Sequence, residues 1–79
     1  MSPTVFRDKG YRFYFFSLEE ERMHVHVACA DGDAKFWLTP HVELAMSKGI
    51  SPQRLKVIQN IIQEHYHEIT DAWHQHLDN

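Results

Sequence analysis

Cysteine is nearly absent from this chain: Cys29 is the single one among 79 residues. An internal disulfide and a thiolate zinc cluster are both excluded, and a reducing, cytoplasmic setting is expected. No apolar run approaches the roughly 20 residues of a membrane-crossing helix. The first residues also lack the basic-then-apolar pattern of a secretory leader. Glycine and proline are scarce, three of each, and no low-complexity tract is present. Neither charge sign dominates: eight Lys and Arg stand against eleven Asp and Glu, so bulk charge gives no argument for nucleic acid. A Gly-rich phosphate loop and a Ser/His/Asp arrangement are missing too. Nucleotide-dependent and serine-nucleophile chemistry are therefore set aside, and no cofactor is implied.

What is there suits one small domain spanning 1–79, with a core that supplies modest stability. Its most informative stretch is Met23-His24-Val25-His26-Val27-Ala28, then Asp31-Gly32-Asp33 and Ala34-Lys35-Phe36-Trp37-Leu38. Alternating runs around an Asp-Gly pair signal a β-hairpin. A two-residue Asp31-Gly32 loop predicts Val27 opposite Phe36, Val25 opposite Leu38 and His26 opposite Trp37. Val25, Val27, Phe36 and Leu38 then share a core face, and His24, His26, Lys35 and Trp37 share the other.

Upstream, Thr4 to Arg7 reads as a strand, Asp8-Lys9-Gly10 as a turn that a two- or three-residue loop satisfies equally, and Tyr11 to Ser17 as an aromatic strand. Alternation separates Tyr11, Phe13 and Phe15 from Arg12, Tyr14 and Phe16. Leu18 to Arg22, which includes Glu19-Glu20-Glu21, is a charged connection. Thr39-Pro40 is expected to end the sheet. Val42 to Lys48 reads as a short helix with Gly49 beyond its end. Ser51-Pro52 is a helix start. Leu55, Ile58, Ile62, Ile69, Trp73 and Leu77 then mark one apolar stripe to about His76. The fold class is α+β: a four-strand antiparallel meander (1–38), then a short and a long C-terminal helix (40–79) on one sheet face.

Such a helix would be about 37 Å long at 1.5 Å per residue and would outrun the sheet. Ile69, Trp73 and Leu77 are then expected to form a homodimer or partner interface. A break between His65 and Glu68 that folds the tail back onto the core is the competing expectation.

The polar sheet face carries Arg12, Tyr14, His24, His26, Lys35 and Trp37. Cations interleaved with rings suit a protein partner or single-stranded RNA, the cations meeting phosphates and the rings stacking on bases. His24 or His26 as acid and base, with Arg12 and Lys35 as phosphate-stabilising cations, makes a metal-independent ribonuclease an alternative. The simpler reading is a solvated face stabilised by cross-strand pairs. His24 and His26 also invite a metal-binding module, but two ligands are not a site. Glu64, His67, Asp71 and His74 line one helical stripe, read most simply as solvated. His65 and His76 sit nearer the apolar stripe, and Cys29 is read as a small packing residue.

These residues resemble a family of prokaryotic domains of unknown function, number 4160. The resemblance runs through Pro3-Thr4-Val5-Phe6-Arg7, Gly10-Tyr11-Arg12-Phe13-Tyr14-Phe15, His24-Val25-His26-Val27 and Ala34-Lys35-Phe36-Trp37-Leu38. It continues through Val42-Glu43-Leu44-Ala45 and Ala72-Trp73. Glu21-Arg22-Met23 departs from it, because family members usually carry one or more prolines just before the His-x-His strand. The resemblance implies one half of a toxin–antitoxin-like two-gene pair, partnered by the small protein of a neighbouring gene. It assigns no chemistry.

Overall fold

The computed structural model describes residues 4–16 and 22–78, with side chains through His76. Glu19-Glu20-Glu21, the end of the aromatic strand at Ser17 and the Leu77 side chain lie outside the described residues. The elements run β1 (Thr4–Asp8), β2 (Tyr11–Tyr14), β3 (His24–Ala28), β4 (Asp33–Trp37), β5 (Glu43–Lys48), α1 (Pro52–Glu64) and α2 (Tyr66–Asp78). All five strands form one antiparallel sheet in the order β1-β2-β3-β4-β5. The α+β class holds, but with a fifth strand.

The first hairpin closes on Asp8 opposite Tyr11, so Lys9-Gly10 is a two-residue loop. Both residues take positive φ, 53° and 83°, as the twist of a tight hairpin favours. The second hairpin corrects the expected register. Val25 opposes Phe36, His26 opposes Lys35 and His24 opposes Trp37. Its loop spans Cys29 to Gly32, closed by the Cys29 amide donating to the Gly32 carbonyl at 2.9 Å. The Asp-Gly pair forms the second half of that loop and also docks it: Asp31 pairs with Arg54 at the start of α1, and Gly32 lies against the Lys48 carbonyl. The register moves by two residues, so every side chain keeps its expected face.

Val42 to Lys48 is the clearest departure, a strand instead of a helix. Glu, Leu, Ala, Met and Lys favour helix locally. The free edge of β4 supplies ladder hydrogen bonds to this segment, and that tertiary gain outweighs the propensity. Thr39-Pro40 therefore ends β4 but not the sheet.

The long helix is also two helices. It breaks at His65, whose amide reaches back to Ile61 O at 3.0 Å while its carbonyl accepts from the Ile69 amide at 3.0 Å. No proline or glycine marks the break. The gain is burial: folding back places Ile69 and Trp73 in the core with Ile58, Ile61 and Ile62 of α1 and Phe13, Phe15, Val25, Val27, Phe36 and Leu38 of the sheet. Ile69 and Trp73 thus belong to the chain's own core, which corrects the interface expectation for both and follows the competing fold-back. The Tyr66 hydroxyl donates to the Leu38 carbonyl at 2.7 Å and ties the break to the end of β4. Tyr66→Phe is expected to cost about 1 kcal/mol in denaturant unfolding. Neither helix is long and apolar enough to cross a membrane.

Candidate interaction face

The helices cover one side of the sheet, and the register lays out the other in three rows. Arg7, Arg12, Ala28, Asp33 and Lys48 cross all five strands as successive partners. Tyr14, His26, Lys35 and Met46 form the middle row. His24, Trp37 and Glu43 form the third. Alternation along β2, β3 and β4 therefore brings Arg12, Tyr14, His24, His26, Lys35 and Trp37 to one face, as expected.

Rings and cations on this face are coupled in two clusters. In the first, the Arg12 guanidinium lies 4.6 Å from the Tyr14 ring centre. Tyr14 stacks on His26 at 5.4 Å, and Phe16 meets His26 edge-on at 4.5 Å. Arg12 Nε also donates to the Thr4 hydroxyl at 2.7 Å, which fixes its reach. In the second, Arg22 and Lys35 lie 4.2 Å and 4.5 Å from the Trp37 ring. Arg22 donates to the Thr39 carbonyl from both Nε and a terminal nitrogen, which holds it over the indole. Each ring thereby presents a cation held close to its face.

His24 departs from the expected site. Its face is right, yet it is 0% exposed. Trp73, His26 and Trp37 surround its ring at 5.0, 5.2 and 5.7 Å. Its Nδ1 lies 2.6 Å from the Arg22 carbonyl, an acceptor only, so Nδ1 carries the proton and donates. His24 is thus a core residue: it is pinned to the chain before β3, and at this end of the strand Trp73 of α2 meets its ring beside His26 and Trp37. His26, Lys35, Arg12 and Trp37 are half-buried and reachable from solvent, whereas His24 is not. Tyr14, expected on the exposed face, is also buried at 8% because Arg12, His26 and Phe16 pack its ring. Acid–base chemistry on this face is left with one accessible imidazole, that of His26, opposite Lys35.

A concavity of about 190 Å³ opens between Tyr14, Phe16, His26, Asp33, Lys35 and Met46. Phe16 is 43% and Met46 63% exposed, large apolar side chains at its rim. Sequence reasoning gave Phe16 the correct face without a role. It missed Met46 because the segment reads as helix, and Arg22 because it sits in a charged connection.

The other candidates resolve as bland. Among the described residues no three of His, Cys, Asp and Glu are grouped to hold a metal ion. Glu64, His67, Asp71 and His74 are exposed, and the break at His65 puts Glu64 on a different helix from the other three. His65 packs on Phe6 at 4.5 Å and lies 2.9 Å from a Glu68 oxygen. His76 Nε2 donates to the Phe16 carbonyl at 2.9 Å. Cys29 is a half-buried free thiol packed against the core.

With this geometry in place, the comparisons with known proteins add one finding. The profile of the family described as Domain of unknown function (DUF4160) matches residues 10–74. The chain belongs to the DUF4160 family. The match runs from the turn before β2 into α2, so it takes in β2 to β5 and α2 as far as His74. No curated protein and no solved structure matches this DUF4160 chain.

Proposed function

We propose that this DUF4160 chain is a small cytoplasmic interaction protein of a toxin–antitoxin-like pair, docking its cognate protein on the open sheet face. The observation that carries this reading is the concavity rimmed by exposed Phe16 and Met46 and bordered by arginine-backed aromatic rings. Protein interfaces are enriched in aromatic residues, Met and Arg, and their strongest anchors are Trp, Tyr and Arg in pockets. Single-stranded RNA is the second reading, supported by the Lys35–Trp37 pair, which combines a phosphate-binding cation with a half-buried ring.

The test is co-expression with the product of the neighbouring gene, followed by co-purification and measured affinity. Phe16→Glu adds a charge at an exposed rim position. It is expected to weaken the complex by about 2 kcal/mol or more, roughly thirtyfold in affinity, with the fold intact. Full binding by both Phe16→Glu and Met46→Glu would overturn docking on this face. Growth and RNA integrity are scored in the same cells. Arrest with RNA loss that His26→Ala abolishes would replace docking with the ribonuclease of His26, Lys35 and Arg12.

A further inference from the structure

β5 is an edge strand with exposed Glu43, Leu44, Met46, Ser47 and Lys48. Edge strands offer a row of backbone donors and acceptors to any strand that fits them. What fits this edge is set by a bulge. Lys35 opposes Met46 and Phe36 opposes Leu44, so Ala45 is an extra residue. Glu43 and Lys48 are five apart and would point to opposite faces of a regular strand. The bulge brings both to the open face, where Glu43 opposes Trp37 and Lys48 opposes Asp33. Met46, also on that face, stands between them.

We propose that the partner of this edge is a second copy of the same edge, which joins two five-stranded sheets into one. Antiparallel pairing about a two-fold axis at Met46 keeps every side chain on its proper face. Met46 then meets its own copy, covering a side chain that is 63% exposed. With Ala45 an extra residue in each copy, as it is against β4, Glu43 meets the second copy's Lys48, and the two-fold repeats that ion pair. Leu44 meets Ser47 on the helix side. The only ion pair that Glu43 makes among the described residues is a long one, 3.9 Å to Arg22 with both side chains substantially exposed. β1, the opposite edge, has no such self-complement. Its Arg7 is on the open face and Asp8 on the helix face, opposite Arg12 and Tyr11. The dimer does not depend on what the open face binds, although it places Met46, one rim of each concavity, at the seam and so sets two concavities side by side.

Sedimentation of the full chain over a wide concentration range tests this. The unmodified chain is expected to reach a dimer. Glu43→Lys and Lys48→Glu each replace two attractions by two repulsions and should weaken dimerisation roughly tenfold or more. An equal mixture of these two variants is expected to recover the dimer as a heterodimer, because each edge then meets its opposite charge. The double variant Glu43→Lys/Lys48→Glu should recover it alone. Phe16→Glu should leave the dimer unchanged, which separates the seam at Met46 from the Phe16 side of the docking concavity. Circular dichroism confirms that each variant is folded. A chain that stays monomeric, a dimer indifferent to either charge change, or a mixture of folded variants that fails to associate would overturn the proposal.

Discussion

Trp73→Ala is expected to lower the unfolding free energy by about 3–5 kcal/mol in denaturant titration. Such a loss is a large fraction of what a domain of this size possesses. Trp73 is 2% exposed, meets Phe15 edge-on at 5.4 Å and caps His24 at 5.0 Å. Removing the indole empties a site where helix, sheet and a buried imidazole meet, and the fold-back of α2 loses its anchor. Trp73→Phe should recover most of the stability and should leave self-association through β5 unchanged. A Trp73→Ala chain as stable as the original would mean that α2 is not held on the core.

Gly32→Ala is expected to cost about 3 kcal/mol, because the strain has no rotamer through which to escape. A Cβ at Gly32 would sit 1.9 Å from the Lys48 carbonyl oxygen and 3.1 Å from the Gly49 Cα. Both are backbone atoms, so the loop from Cys29 to Gly32 must lift from β5, taking Asp31 away from Arg54. Gly10→Ala is the contrast: nothing lies within 4 Å of its Cβ position, and only its φ of +83° resists. That change should cost about 1 kcal/mol. Thermal or denaturant unfolding that ranks the two variants in reverse order would refute the docking of this loop on β5.

The face assignments were legible in the sequence because period-two alternation survives any register error of an even number of residues. Val25, Val27, Phe36 and Leu38 are buried as the alternation predicts, although Val25 pairs with Phe36 and Val27 with Ala34 rather than with the expected residues. The Asp31-Gly32 signal marked the turn but not its length, since what Asp31 and Gly32 touch is remote in sequence. His24 shows the limit of parity for a site: alternation states which way a side chain points, not what covers it.

The sequence by itself determined the α+β class, the two faces of the central hairpin, the helix start at Ser51 and the apolar stripe through Ile58, Ile62, Ile69 and Trp73. Each rests on local periodicity or on the geometry of a single residue pair. Tertiary structure alone decided three things. Residues 43–48 became a strand because an open sheet edge outweighed helix propensity. The helix broke at His65 without a breaker residue because burying Ile69 and Trp73 is worth more than one continuous hydrogen-bond ladder. His24 is shut off from solvent because Trp73 of α2 joins His26 and Trp37 around its ring. In all three the deciding free energy comes from contacts between segments far apart in the chain, which no local pattern encodes.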